Sequence, residues 1–545
     1  MTFHELARYW HTLRHMRLVQ LYGRLWFRLA RPQPDLRVAP GMRHTAVEWV
    51  PCARAPSMMD VDRFRFLGVE RTLAVAEDWN NADWPKLWLY NAHYFDDLVA
   101  AGFRQRSEWH RALLVRWLGE NAAGKGNGWE PYPTSLRIVN WVKWTLAGNA
   151  LDDAIRHSLA VQARWLCKRL EIHLQGNHLW ANAKALVFAG AVFVGDEADA
   201  WRNQGLAILR GELREQILSD GGHFERSPMY HAIALEDVLD LVQLAAIYPN
   251  LFAGDELARW RATALRMLRW LRVMSHPDGG IAMFNDAAFG IAPDVAALTA
   301  YAIALGLAVD EAPLADIEAL PESGYVRLQA GHAVLIADVG VIGPDYLPGH
   351  AHADTLSFEL SLQGQRVLVN GGTSTYQAGT ERLRQRGTAM HNTVQIDGAD
   401  SSEVWSSFRV ARRARPLDVR WGRDGEVLWI EAGHDGYLRL PGKVIHRRRW
   451  MFERDRLRIA DTMSGRFVEA KAYFRFASER AAESTAASTG SLVLNENTVH
   501  WQVLGETGMD IGSGTWHPRF GVNEYCKVLV VSFEGANLET EFHWS

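Results

Sequence analysis

The feature that most constrains this chain is a change of hydrophobic period partway along it. From about Glu108 to Gly306, apolar residues recur at every third and fourth position. Trp109, Leu113, Leu114, Trp117 and Leu118 form one stripe, Ile138, Trp141, Val142 and Leu146 another, and Leu206, Leu209, Leu213 and Ile217 a later one. This spacing turns one face of a helix toward a core. Short Gly-, Pro- or Asp-bearing connections separate the stripes, which predicts antiparallel helical hairpins with helices of roughly 15–20 residues. Such hairpins build either a closed α/α toroid or an open solenoid, and periodicity alone does not choose between them.

Beyond the Pro313–Pro321 stretch the period falls to two. Tyr325–Gln329, Ala333–Ala337, Leu356–Leu362, Val427–Glu431 and Lys527–Phe533 alternate in the manner of strands, and Gln363-Gly364, Asp397-Gly398 and Asp424-Gly425 supply turns. Short strands at this spacing predict a β-sandwich of roughly 220 residues. At 545 residues the chain exceeds a single core. The reading is therefore an α+β multidomain protein. An N-terminal helical extension (1–80) precedes a domain of helical hairpins (81–315), toroid or solenoid, and an antiparallel β-sandwich (324–545), with the boundary near 310–324.

Charge and cysteine content narrow the function. A formal net charge of −4 without a basic tail disfavours nucleic acid as partner. Arg412-Arg413-Ala414-Arg415 and Arg447-Arg448-Arg449 read first as salt-bridged strand faces, and second as a grip on a polyanion. Cys52, Cys167 and Cys526 give no disulfide framework. No apolar run reaches the roughly 18 residues of a spanning helix. Met1 to Pro32 is amphipathic, carries six arginines, and lacks the apolar core of a secretory signal. A cytoplasmic location is the expectation, with a periplasmic role left open. The first helix is expected to pack on the body of the protein rather than on a membrane.

Several polar clusters interrupt the regular pattern. Gly349-His350-Ala351-His352-Ala353-Asp354 runs into a strand and is answered by His391-Asn392. Alternating imidazoles and a carboxylate converge readily on one metal ion or one substrate group. In the helical half, Asn177-His178 and Tyr230-His231 stand at helix entries, where Asn177 alone reads as a cap. Trp129 and Tyr132, in the Gly126–Pro133 loop ahead of Arg137, and Tyr94, in Leu89–Asp96, fit a carbohydrate platform or a packed loop.

Together these segments resemble the heparinase II/III-like polysaccharide lyases, over roughly residues 80–545. The strongest elements are His350-Ala-His352-Ala-Asp354-Thr-Leu-Ser-Phe, Gly371-Gly-Thr-Ser-Thr-Tyr376 and His391-Asn-Thr-Val. The resemblance implies a toroid followed by a sandwich, in a bacterial enzyme that cleaves an acidic, uronate-containing polysaccharide by β-elimination. It casts Asn177 and His178 as the groups that neutralise the uronate carboxylate, helped by Arg137 or Arg386. Tyr230 takes one proton-transfer role, and His231, His350 and Tyr376 compete for the other. It also implies zinc on His352 and His391. The family's third donor, an aspartate, is replaced here by Asn370, a poorer ligand, and Asp354 is the alternative. Two further readings stay open. A hydrolase would recruit two carboxylates from Glu130, Glu225, Asp286 and Asp354. A non-catalytic carbohydrate-binding or exopolysaccharide-assembly protein would keep only the scaffold.

Overall fold

The computed structural model describes residues 3–544 except 478–481, 487, 495 and 496. Two short helices, Phe3–Leu13 and Leu18–Leu29, open the chain. Past Leu29 no α-helix forms until Lys86, and an antiparallel hairpin of Arg63–Phe66 with Val69–Thr72 fills part of the gap. The extension is thus α-helical only over its first third, with a 3-10 turn at Ala76–Asn80.

The 3.6-residue stripes become the helices Lys86–Tyr94, Ser107–Glu120, Pro131–Leu146, Asp153–Cys167, Gly176–Val192, Asp196–Gln216, Pro228–Ile247, Gly254–Val273 and Val295–Ala304. Their apolar faces meet in one core, where Trp79, Trp88, Trp117, Trp141, Trp144 and Trp180 are fully buried. Most of the tryptophan load thus fills the core. Helices Gly176–Val192 and Asp196–Gln216 approach closely because Gly190 and Gly205 lack side chains. A Cβ at either would come within 2.5 Å of a carbonyl oxygen on the facing helix.

The period-two half forms three large antiparallel sheets and a two-stranded one of Val404–Trp405 with Arg409–Val410. A five-stranded sheet runs in sequence order from Ile317–Leu320 through Tyr325–Ala330, Ala333–Asp338 and Phe358–Leu362 to Gln365–Leu368. Its first strand lies ahead of residue 324, because Ile317–Leu320 pairs with Tyr325–Leu328 across a tight turn. An eight-stranded and a four-stranded sheet complete the sandwich around Phe358, Trp450, Phe474 and Phe542. Both arginine runs are salt-bridged. Arg413 and Arg415 pair with Asp345, Arg447 with Asp418, and Arg448 with Asp461.

The halves are joined by apolar packing and by backbone clamps. Trp270, Met274 and Phe284 of the helical half pack on Tyr325, Val334 and Ile336 of the first sheet. The Arg226 carbonyl accepts from Tyr325 Oη at 2.6 Å, and Trp270 Nε1 donates to Ser323 Oγ at 2.8 Å. This seam holds one wall of a cleft against the other. No helix among the described residues is long and apolar enough to cross a membrane.

Candidate active site

A cleft of about 1590 Å³ lies between the halves. The helical half contributes Tyr94, Tyr132, Asn177, His178, Glu225 and Tyr230, and the sandwich contributes His350 and Tyr376. Local backbone geometry aims several of these groups. Ser227 caps the helix Pro228–Ile247 by accepting from Tyr230 N, and its hydroxyl also bonds the Asp286 carbonyl. Asn177 does not cap its helix. Gln175 is the N-cap, and Asn177 Nδ2 instead donates to Tyr132 Oη at 2.9 Å. Gln175, Arg226 and Asn285 all hold positive φ (60°, 60° and 56°), and each lies within two residues of a site side chain. Left-handed backbone at non-glycine residues stores strain, and its clustering here marks the site.

The proton-transfer candidates converge. Tyr230 Oη and Tyr376 Oη are 3.1 Å apart, and the Tyr230 and His350 rings lie 4.0 Å centroid to centroid. His350 Nδ1 sits 2.8 Å from Asp286 Oδ2. Since a carboxylate only accepts, Nδ1 carries the proton, and the Nε2 lone pair faces the cleft. Burial pushes the Tyr230 and Tyr376 hydroxyls well above the ordinary tyrosine range, so both rest protonated.

Asp286 is the centre of the arrangement. Fully buried, it receives both Arg382 Nη atoms, His350 Nδ1, His352 Nε2 at 2.8 Å and Thr373 Oγ1 at 3.3 Å. Burial alone would raise its pKa. The Arg382 guanidinium and the two imidazoles outweigh that and hold the carboxyl well below its usual range. Sequence reasoning considered Asp286 only as a hydrolase carboxylate and passed over Arg382. The available signal was Asn285-Asp286, the sole polar pair in the apolar stretch Ile281–Ile291.

Two ionisable groups, His178 and Glu225, frame the cleft floor. Burial disfavours a charged His178, but the Glu171 carboxylate 3.2 Å away, with Glu225, raises its pKa. Burial also raises the pKa of Glu225, aided by Asp286 and opposed by His350 and His178. Among the described residues Glu225 Oε2 has no hydrogen-bond partner, and it lies 3.6 Å from His350 Nε2.

Four other sequence candidates play structural parts. His231 is fully buried and stacked on Trp270. It accepts from His223 N and donates to the Met267 carbonyl, and burial holds it neutral with a pKa of about 3. Trp129 packs between Trp117 and Trp165. Arg137 is buried over the Trp117 ring and donates to Gln162. Arg386 clamps the histidine loop through the Ala351 carbonyl, at 3.0 and 2.8 Å. Tyr94 and Tyr132 do line the cleft, packed edge to face at 6.0 Å.

The side chains expected to hold zinc are engaged with one another and with their neighbours. His352 Nδ1 and His391 Nε2 lie 3.2 Å apart and satisfy each other, while His352 Nε2 serves Asp286. Asn370 Oδ1 accepts from Asn392 N, and Asp354 Oδ2 from Asn285 N. No cluster of three or more His, Cys, Asp or Glu side chains suited to a metal occurs among the described residues. Two imidazoles and a neutral amide, with no carboxylate among them, are a poor donor set for zinc. Zinc followed by chelator is therefore expected to leave the calorimetric melting temperature unchanged. A rise with zinc that chelator reverses would restore the metal.

Two family models match the chain: the heparinase II/III N-terminus over residues 152–299, and the heparinase II/III-like C-terminal domain over 312–545. The chain belongs to the heparinase II/III-like superfamily. Among curated relatives it is 28% identical over 408 residues to FtsZ-localized protein C of Caulobacter vibrioides, covering 70% of this chain and 66% of the relative. It is 26% identical over 297 residues to a heparin-sulfate lyase of Bacteroides stercoris, covering 51% of this chain and 42% of the relative. The chain thus spans just under two thirds of the first and less than half of the second. Among solved structures, heparinase III superposes with a TM-score of 0.68 at 18% identity, over 88% of this chain and 79% of that one. The heparan sulfate lyase of Pedobacter heparinus gives 0.59 at 18% identity, over 96% and 87%. These likenesses establish the fold as an α/α toroid followed by an antiparallel β-sandwich.

Proposed function

We propose that the protein is a polysaccharide lyase that cleaves a uronate-containing glycan by β-elimination. The observation that carries this reading is the meeting of Tyr230, His350 and Tyr376, from both halves, on one cleft wall. His350 Nε2 takes the C5 proton, the freed electron pair forms the C4–C5 double bond, and the C4–O bond breaks. Tyr230 Oη protonates the departing oxygen and is resupplied through Tyr376. Asn177 and the cationic His178 hold the substrate carboxylate, where negative charge grows as the proton leaves. Arg409 and Arg519, exposed at the cleft and without carboxylate partners among the described residues, suit an acidic chain.

The stacking of Tyr230 on His350 has a stereochemical consequence. Both groups address the sugar from one side, which suits uronates whose C5 hydrogen and O4 share a face. Glucuronate and mannuronate have that arrangement, and their C5 epimers, iduronate and guluronate, do not. Hydrolysis is less well supported: of Glu130, Glu225, Asp286 and Asp354 only Glu225 lines the cleft, and the cleft carboxylates Glu236, Asp237, Asp278 and Asp345 are held in ion pairs. Mass spectrometry separates the two routes, since the fragment with the new non-reducing end is lighter by one water after elimination than after hydrolysis. A new non-reducing end that carries that water would end the lyase reading.

A second prediction concerns pH. His178 must be charged to hold a carboxylate, so kcat/KM falls as pH rises through its raised pKa. Glu171→Gln removes the main group that sustains the charge and moves this alkaline limb to lower pH. An unmoved limb would remove His178 from carboxylate binding.

Two observations favour a second reading. Asn370 leaves the donor set short of a metal, and a relative is named for its localisation with FtsZ. A glycan-binding scaffold without turnover would bind uronate polymers and release no fragments.

A further inference from the structure

The helix Leu18–Leu29 is built inside out. At 100° per residue, Gln20, Gly23 and Phe27 share one face, and that face meets the protein. Gln20 is buried and donates to the Tyr346 carbonyl, Gly23 lies against His173, and Phe27 packs on His173 and under Arg169. The opposite face carries Leu18, Leu21, Tyr22, Leu25, Trp26 and Leu29, all exposed, with Leu18 at 78% and Trp26 at 67%. Leu6, Trp10 and Leu13 extend this on the preceding helix, Trp10 at 66%. A helix recruited only to cover the body would present these faces the other way round. Isolated exposed leucines need no explanation, but an unbroken stripe of this size does.

Charge identifies what covers it. Residues 3–31 hold six arginines against one glutamate. Arg8 and Arg17 are paired with Glu403 and Glu215. Arg14, Arg24, Arg28 and Arg31 have no carboxylate partner among the described residues. By helical angle Arg24 and Arg28 lie along one edge of the apolar stripe, from which a guanidinium on its flexible stem can reach phosphate while leucine and indole enter the acyl boundary. An apolar stripe with tryptophan and tyrosine, edged by uncompensated arginine, is the composition of an interfacial helix.

We propose that the N-terminal helix pair docks the protein on an anionic phospholipid bilayer. Leu13, Met16, Gln20 and Arg24 also line the cleft, so the docked surface and the cleft mouth share a rim. The inference is independent of the reaction assigned to the cleft.

The test is co-sedimentation of the intact chain with vesicles of phosphatidylglycerol mixed into phosphatidylcholine, and with pure phosphatidylcholine vesicles. Binding is expected to the anionic vesicles and to fall with added salt. Arg14→Gln and Arg28→Gln each lower the partition coefficient about fivefold. Leu21→Glu/Leu25→Glu abolishes binding while near-ultraviolet circular dichroism stays unchanged. Unaltered binding by the arginine variants, or none to anionic vesicles at low salt, overturns the proposal. So does a dimer that the Leu21→Glu/Leu25→Glu variant splits into monomers, or a protein partner captured on this face in the absence of vesicle binding.

Discussion

Replacing Tyr230 by phenylalanine lowers kcat by roughly 10²–10⁴-fold, the usual contribution of one positioned acid or base. The substitution removes one hydroxyl from a partly exposed ring, whose hydrogen-bond partner among the described residues is Tyr376 Oη. Ring packing on His350 persists, so the fold and the affinity for polymer change little. Loss of kcat with KM preserved is the signature of a group that acts in the transition state. Steady-state kinetics with a matched melting curve separates this from unfolding. Full activity in Tyr230→Phe would dismiss the proton-transfer role.

Asp286→Asn carries the largest expected cost in stability. The side chain is fully buried, and its charge offsets Arg382, which has no solvent access either. Removing one partner of a buried ion pair leaves the other charged and unpaired, at about 3–5 kcal/mol. The amide also fails to receive donors from Arg382, His350 and His352 together. A lower melting temperature and a weaker His350 base are therefore expected together. The pH dependence follows from the depressed carboxyl pKa. Asp286 contributes stability above the unfolded carboxylate pKa, near 4, and loses it as pH falls through its lower folded value. The gap between parent and variant is thus full at neutral pH and narrows in acid. A constant gap across that range would mean that the carboxylate charge is not what stabilises the site.

The two-domain plan was legible because hydrophobic period reports which face of each element is buried. Ile138, Trp141, Val142 and Leu146 became a helix face, and Val427–Glu431 lies within a strand, as their spacing requires. The site was legible in part. His350, Tyr230 and Tyr376 stood out as chemistry-bearing groups, but their roles depend on Asp286 and Arg382, 64 and 32 residues from His350 in sequence. His231 shows the limit most clearly. Beside Tyr230 in the chain, it points to the opposite side of the helix wall, into Trp270, because adjacent helical residues diverge by about 100°. Arg137 and Trp129 misled for a related reason. A polar or aromatic residue in a loop-to-helix passage looks the same in sequence whether it faces a ligand or closes the core.

The most direct test of the account follows the ultraviolet absorbance of the C4–C5 unsaturated uronate while reducing ends are counted in the same reaction. Polymers of glucuronate and of mannuronate are compared with iduronate- and guluronate-rich ones. The account predicts that absorbance and reducing ends rise in step on a substrate of the first kind, and that Tyr230→Phe suppresses both. Reducing ends without absorbance would contradict it.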